Sequence, residues 1–119
     1  MNILNLTQHD ATADQIAAGV AEPRAKALVR ELLTFEELPN TEMVGVRARK
    51  LAATAALAGY EAAMIGGAPF FMAPLELALK EAGVKPLYSF TRRESAEKPD
   101  GNGGVTKTQV FRHIGFYEA

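Results

Sequence analysis

The chain contains no cysteine, which excludes a thiolate nucleophile, a Cys-ligated zinc site and a disulfide framework. It also lacks a surplus of positive charge: 13 Lys and Arg stand against 14 Asp and Glu, a formal net charge of -1. Binding to long nucleic acid depends on a basic face that releases counterions, so it is not expected here. A small anionic ligand needs only a local cluster of cations and remains open. No apolar run approaches the roughly 18 residues of a membrane span. The N-terminus has no basic segment followed by a long apolar one, so no signal peptide is expected. These absences lead to the expectation of a soluble, cytoplasmic protein without a membrane partner.

Several catalytic signatures are missing as well. There is no G-x-S-x-G elbow of a serine hydrolase and no G-x-x-x-x-G-K-[ST] phosphate loop. Paired-carboxylate chemistry has no distinctive support. The two histidines, His9 and His113, have no short ligand spacing with each other or with Asp10, so neither a metal nor a cofactor is expected.

What is present is an ordinary globular composition over 119 residues, 48% hydrophobic and 23% charged. That length is enough for one domain with a sizeable core. Residues 2–6, Asn-Ile-Leu-Asn-Leu, read as a short strand. Thr12-Ala13-Asp14-Gln15 has the capping-box pattern of a helix start, and Gly19 suits its end. Pro23 fits the first turn of a second helix carrying Leu28, Val29, Leu32 and Leu33. A third, alanine-rich helix runs from about Thr41 to Gly59. The spacing then predicts a buried strand near 61–65 and a helix most secure from Pro74 to Gly83. "VKPLYSFTRRES" and "VTKTQVFRH" read as two strands joined by the turn-rich "EKPDGNGG".

Strands separated by helices imply parallel pairing with right-handed crossovers. The fold expected is therefore α/β: a small three-layer Rossmann-like sandwich with a mostly parallel sheet and a C-terminal antiparallel hairpin. Residues 1–119 form its single domain, with a helical insertion at about 22–58 and the hairpin at about 86–113.

In an open parallel sheet, ligands bind outside the carboxyl ends of the strands. Three polar segments are expected there: Thr7-Gln8-His9-Asp10, Gly66-Gly67-Ala68-Pro69, and Thr91-Arg92-Arg93-Glu94-Ser95. Paired glycines before a helix can present backbone amides to phosphate, although the same pair can be a plain strand-to-helix turn. Thr7, Gln8, Thr91 and Ser95 can bond to sugar or base edges. His9 can move a proton near neutrality, or can be a hydrogen-bonded structural residue. Arg92 and Arg93 can hold phosphate, but neighbours on a strand face opposite ways, so at most one meets a given ligand directly. Glu94 and Glu97 are candidate ion-pair partners for the other. Lys107, Gln109, Phe111 and His113 share one face of the last strand, which is either a solvated surface or a cover over a ligand.

The opening "ILNLTQHDAT" running into a helix resembles the start of small CRISPR-associated ring nucleases. "MIGGAP", the helix after it and "PLYSFTRRES" look like the phosphate and base contacts of Rossmann-like domains that bind cyclic oligonucleotides. The likeness covers about half of the chain and leaves residues 22–58 outside it. "LNLTQH…AT" is also similar to small bacterial and phage proteins. The resemblance implies a homodimer with a two-fold symmetric pocket for a cyclic oligoadenylate-like messenger in antiviral defence. Its chemistry would be metal-free attack of a ribose 2′-hydroxyl, leaving a 2′,3′-cyclic phosphate. In that scheme Arg92 or Arg93 stabilises charge, Gly66 and Gly67 hold phosphate, and His9 moves a proton. The alternatives are a non-catalytic protein that sequesters such a signal, a generic nucleotide or sugar-phosphate protein, and a scaffold whose hairpin makes only protein contacts.

Overall fold

A computed structural model describes residues 1–119, the side chain of Lys98 excepted. The elements in chain order are β1 (Ile3–Leu6), α1 (Ala13–Ala17), β2 (Val20–Ala21), α2 (Lys26–Leu33), α3 (Thr41–Leu57), β3 (Ala62–Ile65), α4 (Pro69–Glu81), β4 (Lys85–Pro99) and β5 (Val105–Glu118). They build one five-stranded sheet of order β2-β1-β3-β4-β5. The first four strands are parallel and β5 returns antiparallel to β4.

The central strands are buried on both faces, as parallel strands between helical layers must be. Leu4, Leu6, Ala63 and Ile65 point toward α2, α3 and α4, where Leu51, Phe71, Leu75 and Leu79 complete the main core. The alanines of α3 (Ala48, Ala52, Ala55) are all buried and leave room for its close approach to α4. Ile3, Ala62, Met64 and Leu87 point the other way into a smaller cluster with Val20 and Phe116. On that side the helical layer is α1, five residues long with none of them buried.

Local chemistry sets the boundaries. Thr12 caps α1, and Gln15 completes the expected capping box. Gly19 follows at φ +109, and a Cβ there would sit 2.3 Å from the Met1 carbonyl oxygen. This tight passage lets Val20–Ala21 pair with β1, a strand too short to have a periodicity. Pro23 precedes α2, which begins at Lys26 and not in the first turn after the proline. Conversely, α4 begins at Pro69, and Pro74 lies inside it. Pro69 needs no helical N–H, and Pro74 removes only a bond in the first turns.

The largest departure from expectation is the end of β4. Thr91–Ser95, the end of the expected strand, is expected beside the other polar segments at the carboxyl edge, but β4 continues through them to Pro99 and pairs with β5 throughout. The two strands form an arm that leaves the body. The radius of gyration is 17.1 Å and the long dimension 60 Å, where a compact chain of this length would have a radius near ~13–14 Å. Ile114 is the extra residue of a bulge, since Phe90 faces Gly115 while Thr91 faces His113. It lies where the strands leave the body.

Candidate functional site

The strand order has a reversal between β1 and β3. From β1 the chain goes outward through α1 to β2, then crosses back over the opposite face to β3 and on to β4. Such a switch point leaves the adjacent connections diverging to opposite faces and opens a crevice outside the strand ends. A crevice of about 310 Å³ lies there, walled by the segment after β1, the glycine turn after β3, and Tyr88–Ser89 on β4.

The first wall is held by a buried polar network. Asn5 is only 1% exposed, pointing away from the main core between Ile3 and Thr7. Its Oδ1 accepts from the Thr7 amide at 3.0 Å and the Thr7 hydroxyl at 2.7 Å. Its Nδ2 donates to the His9 carbonyl at 2.8 Å and to the Glu22 carboxylate at 3.0 Å. Glu22 in turn accepts from the Ala11 amide at 2.6 Å. Thr7–Ala11 is thereby tied at both ends to β1 and to the residue that follows β2. Asp10 adds a surface clamp, accepting from Lys26 at 2.7 Å and Arg30 at 2.6 Å. The Lys26 hydrogen bond, then its charge, hold the Asp10 carboxyl below its ordinary value. Thr7 and Gln8 line the crevice together with His9; Gln8 donates to the Thr34 hydroxyl at 2.8 Å, and the exposed His9 ring has no hydrogen-bond partner among the described residues.

The second wall is Gly66–Gly67, also in the crevice lining. Gly67 has φ +147, which side-chain-bearing residues rarely adopt. A Cβ on Gly66 would lie 3.6 Å from the Thr7 methyl, so the two walls nearly touch at their base. Ala68 caps α4 without a side-chain hydrogen bond, and Pro69 is its first residue. The α4 N-terminus thus has no side-chain cap, but Ala68 and Pro69, expected as ligand contacts, follow the glycines and are not part of the crevice lining.

The third wall differs from expectation. Ser89 and Tyr88 line the crevice, whereas Thr91, Arg92, Arg93 and Ser95 lie farther along the arm, Arg92 and Arg93 roughly 10–13 Å beyond Ser89 at the strand rise per residue. Arg92 stands opposite Arg112 and Arg93 opposite Phe111, so the two arginines face opposite sides as the alternation requires. Arg93 lies over the Phe111 ring at 5.2 Å, and Arg112 pairs with Glu94 at 2.9 Å. Lys107 is opposite Glu97 nearer the tip. No Lys or Arg lines the crevice itself.

Ser89 is part of a further arrangement that spacing alone could not disclose. Gln15 Oε1 accepts from the Thr12 amide in the capping box, which turns its Nε2 toward Ser89, 3.1 Å from the hydroxyl oxygen. The same oxygen lies 3.0 Å from His113 Nδ1. Since the amide nitrogen can only donate, the hydroxyl accepts from Gln15, and it donates to His113 Nδ1 or accepts from it according to the imidazole tautomer. The half-buried imidazole is backed by Phe116, ring centres 4.6 Å apart. On the other face Tyr88 donates to Glu76 at 2.5 Å; burial first, and then that carboxylate, raise its phenol above the ordinary value.

A larger concavity of about 550 Å³ lies between α2 and α3, but its cations are already engaged. Arg47 donates to the Thr34 carbonyl at 2.6 Å and covers Phe35, and Arg30 holds Asp10. Among the described residues no three His, Asp or Glu side chains gather as a metal-binding set. No helix among them is long and apolar enough to cross a membrane.

Compared with known proteins, residues 1–117 match the model of a family described as the uncharacterized protein MJ1673 family. No curated protein and no solved structure matches the chain.

Proposed function

The chain belongs to the MJ1673 family, and we propose that its switch-point crevice binds a cyclic oligonucleotide of the oligoadenylate type and cleaves it without a metal. The observation that carries this reading is the meeting of Thr7–His9, Gly66–Gly67 and Tyr88–Ser89 around one crevice at the carboxyl edge. A turn of two glycines before an uncapped helix offers amide donors and a positive dipole to a phosphate oxygen. Gln8 offers its side-chain oxygen and second N–H to ribose or base, while the Thr7 hydroxyl, whose proton is held by Asn5, can only accept. At about 310 Å³ the crevice is at the small end of ligand sites, so it takes one nucleotide unit and leaves the rest of a ring outside.

The outer part of the ring needs cations, and the arm carries Arg93 and Lys107 on one face and Arg92 on the other, one face meeting a given ring. The arm also exposes Phe90, Val105, Phe111, Ile114 and Tyr117. Exposed apolar groups on both faces of a projecting hairpin favour association with a second copy. The reading thus includes a homodimer, with the ring shared between two crevices, and a cytoplasmic setting. In the reaction a ribose 2′-oxygen forms a bond to the adjacent phosphorus while the bond to the 5′-oxygen breaks. A 2′,3′-cyclic phosphate and a 5′-hydroxyl result, and the proton lost at one end is regained at the other. The protein's contribution is in-line positioning, charge stabilisation and proton transfer. His9, which lines the crevice on the β1 side of the glycine turn, gives the proton to the departing oxygen in this reading.

The test is incubation with cyclic di-, tri- and tetra-adenylate in EDTA, followed by chromatography. Linear products ending in a cyclic phosphate support cleavage. Intact ring recovered after heat denaturation supports sequestration by the same crevice, and no binding at micromolar protein removes both.

A further inference from the structure

The two histidines stand in different surroundings, and the difference bears on which of them takes a proton. His9 is exposed with a ring free of hydrogen bonds among the described residues. His113 lies on the arm's base, opposite Thr91 and one same-face position from Ser89, with Nδ1 held on the Ser89 hydroxyl at 3.0 Å. The hydroxyl is pinned from the other side by Gln15, itself oriented by the α1 capping box. In the His113 tautomer protonated at Nε2 the hydroxyl donates to Nδ1, and Ser89 itself lines the crevice.

From this geometry we infer that Ser89 and His113 form a proton relay that removes the proton from the attacking hydroxyl of the substrate. The inference rests on the proposed cleavage reaction and names the group that drives it. As the ribose 2′-oxygen bonds to phosphorus, its proton passes to Ser89 Oγ, and the Ser89 proton passes to His113 Nδ1. His113 becomes an imidazolium, the bond to the 5′-oxygen breaks, and that oxygen takes a proton from His9. The two histidines return to their starting states by exchanging a proton with solvent. No oxidant, metal or water molecule is consumed.

The strand order supports the division of labour. Ser89 is on β4 and His9 follows β1, with β3 and its glycine turn between them. Two strand spacings of ~4.8 Å separate the two sides, which suits an in-line displacement with base and acid on opposite sides of a phosphate over the glycines. His113 acts through Ser89 and so positions it as well as storing its proton, whereas Ser89 is the residue that touches substrate.

His113→Gln provides the test, because its side-chain oxygen can still accept from Ser89 but cannot carry the proton away. With cyclic tetra-adenylate in EDTA, the expected result is a fall in kcat of about a hundred-fold or more, the size of a lost general base. KM and the affinity for the 2′-deoxy ring, which cannot react, should stay within about three-fold. Ser89→Ala should give the same pattern, and decides the matter if His113→Gln has a lowered unfolding midpoint. Wild-type turnover in both variants overturns the relay and leaves the cleavage reading standing. Parallel loss of binding and turnover also overturns it, by reducing the trio to a structural tie. Absence of cleavage by the wild type overturns the reading and the relay together.

Discussion

Lys85–Ser89 and Phe90–Pro99 belong to one strand, yet they live in different surroundings. In the first segment Leu87 is buried under the α1 side and Tyr88 packs against the main core on the other. In the second, Phe90 is 57% exposed, and Phe111, opposite Arg93 on β5, is 67% exposed. Apolar side chains occur in both, but only the body offers a partner layer to each face. A two-stranded ribbon alone is marginally stable in water, so the arm's order depends on its own cross-strand pairs and on whatever associates with it. The body encloses chemistry; the arm presents charge and apolar surface outward.

The comparison is broken most directly by one aromatic truncation in each region. Phe71 is fully buried and packs edge-on against Phe35 at 5.2 Å, so Phe71→Ala should cost about 3–5 kcal/mol in urea unfolding. Phe111→Ala should change the same midpoint by no more than about 0.5 kcal/mol at protein concentrations too low for association. Equal losses would mean that the arm is part of the body's cooperative unit. A smaller effect is expected at the wall of the crevice. Asn5→Ala leaves the Glu22 carboxylate and the Thr7 amide without their partner, at a cost of about 1–3 kcal/mol. It should also weaken ligand binding, because the Thr7–Ala11 segment loses its anchor.

The smallest effect belongs to Asp10. Its folded carboxyl lies below its ordinary value because of Lys26 and then Arg30, so the clamp contributes stability above the unfolded value. That contribution is lost as pH falls through the lower folded value. The stability difference between wild type and Asp10→Asn, measured by urea midpoints, should be present at neutral pH and shrink toward pH 3. A difference that grows on acidification would contradict the assignment.

The same contrast explains what the sequence made legible. The body's elements follow from spacing and caps: the Thr12–Gln15 box, the alanine face of the third helix and the short apolar runs of β1 and β3 all mark themselves. Val20–Ala21 did not, because two residues after a glycine have no period and form a strand only through β1. The helix start at Pro69 was obscured by Pro74, which fits a first turn equally well by its chemistry. The arm misled for a different reason: Thr91–Ser95 is polar in the manner of a loop, and its ladder with β5 is a long-range fact. Of the crevice, Thr7–His9 and the two glycines were visible as strand ends. Ser89, Gln15 and His113 were not, since 74 and 24 positions separate the hydrogen-bonded pairs and the bulge at Ile114 shifts the register near them.

The central claim is that the crevice, and not the arm alone, receives the ligand. Backbone amide chemical shifts of the labelled protein, recorded as the non-reactive 2′-deoxy cyclic tetra-adenylate is added, test it residue by residue. The account predicts saturable changes clustered at Thr7–Asp10, Gly66–Ala68 and Tyr88–Ser89. Changes confined to residues 92–112, or none at all, would contradict it.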